Sequence, residues 1–407
     1  MEEFIKKIPK TDLHVHLDGS LRIPTLIDIA KKEKIKLPSY SEEGLHQLLF
    51  KDNYKDLVEY LQCFGYTIRA LQTPEDLERV SYEFAWDNLN EGVCYVEVRF
   101  APQLHINKRM DVETILKSVC GGMERAKKEY NNQPEVRPGE LPSFHYGIIV
   151  CAMRAFGKGF ADYFDMLLDA HQYLDPQMVY SLASYELVKA CVAIRDKYGL
   201  PIVGFDLAGA EAGHPAEDHR LAYHYAHKHF LHLTVHAGEA YGPESIFQAI
   251  TDLYADRIGH GYYLFDTGKI ADPEIDDPDG YVRQLSQYVA ERRITIEVCL
   301  TSNLQTNPSI GNIKNHQFGK MLDERLSTTL CTDNRTVSKT TVSKEILLAH
   351  NTFNLSTRAL KNIIIYGFKR SFFHGTYTEK RKYVRSVIDR YELLEKQYFG
   401  DKSQDPA

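Results

Sequence analysis

The sequence predicts an α/β protein, a (β/α)8 TIM barrel with helical insertions at the carboxyl-terminal face of its strands and further helices after the last strand. Three observations predict it. Eight short apolar, β-branched runs recur along the 407 residues, each ending in a polar residue. A stretch with helical spacing of apolar residues follows each run. No Gly/Ser-rich or Pro-rich linker is long enough to separate two domains. Alternation of this kind makes a parallel sheet covered by helices, and a count of eight favours a closed barrel over an open doubly wound sheet.

The runs are 11–16, 93–100 ("VCYVEVRF"), 145–153 ("HYGIIVCAM"), 202–207 ("IVGFDL"), 231–236 ("LHLTVH"), 257–260 ("RIGH"), 295–300 ("TIEVCL") and 328–333 ("TTLCTD"). Between them, "PEDLERVSYEFAWDNLNEG" reads as a helix stopped at Gly92, and "DVETILKSVCGGMERAKKEY" as one that ends before a Pro-rich loop at 132–142. Two insertions, about 45–70 and 156–182, follow the first and third strands, so both fall at the mouth of the barrel, where lids form. "YKDLVEYLQCFGY" in the first reads as an apolar-faced helix. C-terminal helices are expected over about 355–397, the second so charged that it reads as solvated. One barrel domain over 1–407 is the expectation.

Composition narrows the function. With 49 Lys+Arg against 56 Asp+Glu the formal charge is −7, and no basic stripe suits nucleic acid. No apolar run reaches transmembrane length and the first residues, "MEEFIKKIPK", lack a signal-peptide core, so no membrane partner is expected. The seven cysteines are an odd number without a C-x-x-C pair; they read as reduced thiols, which places the chain in the cytoplasm.

Barrel strands converge at their carboxyl ends, so the residues there are read as one site. In order they are His14/His16, Glu97/Arg99, Arg154, Asp206/Gly209, His236/Glu239, His260, Asn303 and Asp333/Asn334. In "TDLHVHLDGSL" the imidazoles of His14 and His16 point the same way, about 6–7 Å apart along a strand. Adding His236 from "TVHAGE" and Asp333 gives three nitrogens and a carboxylate, a ligand set for one Zn2+ or a similar ion with a position left for water. Such an ion lowers the pKa of its water to roughly 7. Glu239, beyond Ala237 and Gly238, is placed for acid–base work, and His260, between two glycines, for orienting the attacking hydroxide. The histidines of "HYAHKHFLH" read as helix surface, "FGKGF" lacks the context of a phosphate loop, and Glu97–Arg99 reads as a structural pair.

"TDLHVHLDGSL", "YVEVRFAP", "DLAGAE", "VHAGEAYGPESI", "DRIGHGY" and "LCTDN" occur in the order found in the adenosine deaminase family of metal-dependent amidohydrolases, which the chain resembles over about residues 5 to 375. The resemblance implies zinc-dependent hydrolytic deamination of a purine nucleoside, adenosine or 2′-deoxyadenosine, with release of ammonia. It implies that His14, His16, His236 and Asp333 hold one zinc ion, Glu239 protonates purine N1, and His260 holds the hydroxide. It also makes Gly209 the backbone donor to N3, and His16 and Asp18 the groups at the ribose 5′ end. One residue departs from the pattern. The family carries a second aspartate where this chain has Asn334; an amide donates directly to purine N7, whereas a carboxyl must hold a proton to do so. The fourth strand ends without a lysine to bridge two metals, and no P-C-x-x-C ligand pair of the cytidine-type deaminases is present. The alternatives are deaminases of AMP or N6-methyl-AMP, adenine or aminodeoxyfutalosine, and, outside catalysis, an inactive nucleoside-binding relative. A 5′-phosphate would want two or three basic groups, for which Arg99, Arg154 and Arg335 are available.

Overall fold

A computed structural model describes residues 1–137 and 139–400, leaving Pro138 of the Pro-rich loop and the last seven residues of the expected domain outside the described residues. Eight strands lie in one sheet in chain order: β1 (Lys10–His16), β2 (Val93–Phe100), β3 (His145–Met153), β4 (Ile202–Ala208), β5 (His232–Ala237), β6 (Arg257–His260), β7 (Thr295–Val298) and β8 (Thr328–Leu330). All seven neighbouring pairs are parallel. Residue Asp333, just past β8, closes the ring. Its carbonyl accepts from the His16 N–H at 2.7 Å and its N–H donates to the His14 carbonyl at 2.8 Å. The barrel seam is therefore made by three of the expected metal-ligating residues.

The strands read as apolar runs because they are buried on both faces, as parallel strands under helices are. Helices start where capping side chains satisfy free N–H groups: Thr73 before Pro74–Leu89, Asp111 before Val112–Asn131 and Asp277 before Pro278–Arg292. Gly199 ends the long helix Pro176–Tyr198 in the left-handed conformation.

Three local expectations change. The apolar stretch 54–66 is not one helix: it breaks at Gln62 and Cys63 between the short helices Leu57–Leu61 and Phe64–Ala70. The run ending at Leu300 stops pairing at Val298, because Leu300–Thr306 is already helical. The last helix, Tyr377–Phe399, is charged but not simply solvated; Tyr383, Val387, Tyr391 and Leu394 are buried, and Tyr391 packs edge-on against Phe4 at 5.5 Å. Just before it, Phe372 seals the amino-terminal end of the barrel, its ring 3.5 Å from the Arg257 guanidinium and stacked on His232 at 4.5 Å. The seven cysteines are all buried and unpaired. No described helix is long and apolar enough to cross a membrane.

Candidate active site

At the carboxyl ends of the strands, the side chains named from sequence converge on one point. His14 and His16 come from β1, His236 from β5, and Asp333 from the seam. The His16 and His236 Nε2 atoms are 3.2 Å apart, and the Asp333 Oδ1 atom lies 3.5 Å from Nε2 of both His14 and His16. With ligand bonds of about 2.0–2.1 Å, the edge of a tetrahedron around zinc is roughly 3.4 Å. These spacings fit one ion. The chemistry of the donors fits as well, since His14 Nε2 is buried with no hydrogen-bond partner.

What aims these nitrogens lies one layer deeper. The Glu297 carboxylate is 2.7 Å from His14 Nδ1, and the Asp206 carboxylate 3.1 Å from His236 Nδ1. An ionised carboxylate can only accept, so each ring carries its proton on Nδ1 and leaves Nε2 bare for a cation. Asp206 is held well below the usual carboxylate range: burial opposes ionisation, but His236 and Arg99 together outweigh it. Arg99 grips both carboxylates, Asp206 at 3.0 Å and Glu297 at 2.9 Å. Arg99 is thus not paired with Glu97, which instead meets the Arg257 guanidinium. Gly259 makes room for this packing, because a Cβ there would come within 2.8 Å of the His14 ring.

His260 also belongs to the cluster; the ligand atoms of His14, His236, His260 and Asp333 all lie within 4.8 Å of one another. Both His260 (φ 63°) and Asp333 (φ 59°) have left-handed backbones, which costs of order 1–3 kcal/mol each and turns their side chains inward. The His260 Nε2 atom is 3.7 Å from Glu239 Oε1. Burial, reinforced by the Asp333 and Glu211 carboxylates, pushes the Glu239 carboxyl up to about 8 against the pull of His236. Glu239 is therefore a carboxylic acid at neutral pH. The turn that carries it is fastened by Glu211, whose carboxylate accepts from the N–H groups of Gly238, Glu239, Ala240 and Tyr241 at 2.6–3.0 Å and from the Ser245 hydroxyl at 2.5 Å.

A cavity of about 670 Å³ opens over this cluster. His16, Asp18, Gly209, His236, Glu239, His260, Asp333 and Asn334 all line it, whereas His14 lies beneath and the strand-end residues Glu97, Arg99, Arg154, Asp206 and Asn303 do not line it. Both insertions supply apolar walls, among them Leu61 and Phe64 from the first and Phe156 and Phe160 from the second.

The sequence profile of the adenosine deaminase family matches residues 9–164 and 174–391. The chain belongs to the adenosine deaminase family. An adenosine deaminase of Mycobacterium leprae (strain TN) is 35% identical over 378 residues, covering 91% of this chain and 92% of the relative. One of Clostridium botulinum (strain 657 / Type Ba4) is 32% identical over 385 residues, covering 94% and 99%. Among solved structures, an adenine deaminase of Arthrobacter aurescens superposes with a TM-score of 0.73 at 19% identity over 95% of this chain and 99% of its own. The apo N6-methyl-AMP deaminase of Arabidopsis thaliana gives 0.71 at 23% over 96% and 98%. Those two likenesses establish the shared barrel. The chain is accordingly a deaminase-type hydrolase acting on C–N bonds, built as this family's members are.

Within the adenosine deaminase frame, several residues of the site escape a reading by motif. Glu211 ends the quoted "DLAGAE", and Glu297 alternates with apolar neighbours in "TIEVCL", yet neither position reveals a partner distant in the chain. Ser302, which donates to Asp333 Oδ2 at 2.6 Å, and Tyr60, which accepts from Asn334 Nδ2 at 2.7 Å, give no local signal at all.

Proposed function

We propose that this family member deaminates adenosine and 2′-deoxyadenosine hydrolytically to inosine and deoxyinosine in the cytoplasm, using one zinc ion. The observation that carries the nucleoside over a nucleotide is the charge of the cavity. Among the described residues, its only Lys or Arg is Arg69, while Asp18 puts a carboxyl group in its wall. The arginines open to a phosphate in the sequence are engaged elsewhere. Arg99 serves Asp206 and Glu297, Arg154 donates to the backbone carbonyls of His214 and His236, and Arg335 is paired with Glu91 at 2.5 Å. A 5′-phosphate would lack the two or three cations it needs and would meet a carboxyl group instead. A ribose hydroxyl can donate to the carboxyl group of Asp18. The adenosine deaminases at 35% and 32% identity support the same substrate.

His14, His16, His236 and Asp333 would hold the zinc ion, with His14 and His236 made ready by Glu297 and Asp206. A bound divalent cation supplies Lewis acidity that brings a water's pKa to roughly 7. Glu239 donates its proton to purine N1, which draws electrons from C6 and opens that carbon to attack. His260 faces the incoming oxygen. As the C6–N bond breaks, the amino group takes up one proton of the attacking water and leaves as ammonia, and the water's other proton restores Glu239. Gly209, at φ 101°, lines the cavity in a backbone conformation that L side chains rarely adopt, and its N–H would serve purine N3. Asn334 faces N7. Its Nδ2 carries two protons: one goes to the Tyr60 hydroxyl at 2.7 Å and the second would serve N7.

The test is an ultraviolet assay of the zinc-loaded enzyme on adenosine, 2′-deoxyadenosine, adenine, AMP, N6-methyl-AMP and aminodeoxyfutalosine. Turnover of the first two is expected to exceed the others by at least about 10²-fold in kcat/KM, because a site without the matching polar groups discriminates by about that much or more. A preference for AMP or N6-methyl-AMP over adenosine would overturn the assignment.

A further inference from the structure

Asn303 is buried between two imidazoles, those of His260 and His316. We infer that Asn303, anchored by His316, is a positioning residue that fixes the tautomer of His260 with its proton on Nε2, facing the reaction centre; the catalytic use of that proton rests on the deaminase reading above.

A hydrogen-bond chain leads to His260 from one end that cannot be reversed. The backbone N–H of Phe318 lies 3.0 Å from His316 Nδ1. A peptide N–H only donates, so His316 Nδ1 accepts. Burial holds His316 neutral, its pKa pushed down to about 3, so the ring has a single proton and that proton is on Nε2. His316 Nε2 is 3.2 Å from Asn303 Oδ1 and donates to it. This decides which way the amide faces. Its Nδ2 is then directed at His260 Nδ1, 3.1 Å away, and donates. A ring nitrogen that accepts carries no proton, so this imidazole has a single proton left to place. With Nδ1 accepting, the one proton of His260 is on Nε2, the atom 3.7 Å from Glu239 Oε1.

The consequence separates three histidines that position alone does not. His14 and His236 meet carboxylates at Nδ1 and present a bare Nε2; His260 meets an amide N–H at Nδ1 and presents a protonated one. A protonated nitrogen has no lone pair for a cation. His260 is therefore kept out of the ligand set although it lies within ligand distance, and it offers an N–H to the oxygen that attacks C6. Replacing the amide by a carboxylate reverses this polarity: Asn303→Asp accepts at Nδ1 and draws the proton there.

The experiment is 15N–1H correlation of His260 in the zinc-loaded enzyme labelled at histidine, with His260→Gln identifying the resonance. The wild type is expected to show the Nε2–H pattern. Asn303→Asp is expected to show a proton on Nδ1, with kcat lowered by about 10²–10⁴, KM within about threefold and zinc per chain unchanged. An Nδ1–H pattern in the wild type overturns the inference, as does an Asn303→Asp enzyme with the His260 pattern and kcat of the wild type. Should Asn303→Asp fail to fold, the wild-type spectrum alone decides. An Nε2–H pattern in a protein that turns over no 6-aminopurine upholds the tautomer and overturns only the deaminase reading.

Discussion

A carboxyl group that is to donate a proton near neutral pH must be kept from ionising, and Glu239 is kept so by burial and by the carboxylates of Asp333 and Glu211, at a pKa of about 8. The raised value fixes the sign of the pH dependence. The acid is present below pH 8 and disappears above it, so kcat/KM is expected to fall as pH rises through about 8. Glu239→Gln, which cannot donate as an acid, is expected to lose about 10²–10⁴-fold in kcat and the limb with it. A profile flat to pH 10, roughly two units beyond, would remove Glu239 from that role. Asn334→Asp must hold a proton to serve purine N7, so its activity relative to the wild type is expected to fall as pH rises through the pKa of the introduced carboxyl. An activity ratio that does not change with pH would count against direct N7 contact. At this scale the residues facing the cavity were legible, because His16, His236 and Glu239 are polar groups at or just past the ends of apolar strands. Glu211 and His316 were not, and Asn303 was placed at a strand end without its role, since their meaning lies in partners that the chain brings together only on folding.

The elements set where those residues point. A barrel strand delivers its last side chain to the mouth only if the turn beyond it is shaped, and the turn 238–241 is shaped by a single carboxylate. Glu211, on the loop after β4, gathers four N–H groups and a hydroxyl from the segment after β5. Glu211→Ala leaves these donors without an acceptor, at about 1–3 kcal/mol, and releases the backbone that positions Glu239. A displacement of about 1 Å is enough for roughly a 10²-fold loss of kcat. Denaturant unfolding and steady-state kinetics are expected to show both effects; loss of stability with undiminished kcat would show that the turn keeps its shape without the clamp. The eight strands were readable from apolar runs because each is buried on both sides. The helices of the first insertion were not, because the periodicity of 54–66 is continuous through Gln62 and Cys63 and only packing over the cavity breaks it.

Across the whole molecule, the interior of the barrel is a stack of charges below the site. Phe372 and Arg257 close the amino-terminal end; Arg257 meets Glu97 and Glu297; Arg99 joins Glu297 to Asp206; and these two carboxylates orient His14 and His236. Buried charges of this kind are tolerated only when every partner is in place, which ties the integrity of the barrel to the orientation of the ligands. The fold class was legible because eight strand–helix units repeat in order, whereas this charged stack was hidden because Glu97, Arg99, Asp206, Arg257 and Glu297 come from four strands far apart in the chain. The claim on which the account depends is that side chains from β1, β5 and the seam at Asp333 hold a single ion needed for deamination. The measurement that tests it most directly is metal content per chain together with adenosine turnover, before and after chelation, in the wild type and in His236→Ala. The account expects one zinc per chain, loss of turnover on chelation, recovery with added zinc, and little metal or activity in His236→Ala. Full adenosine turnover in the metal-free protein, or in His236→Ala, would contradict it.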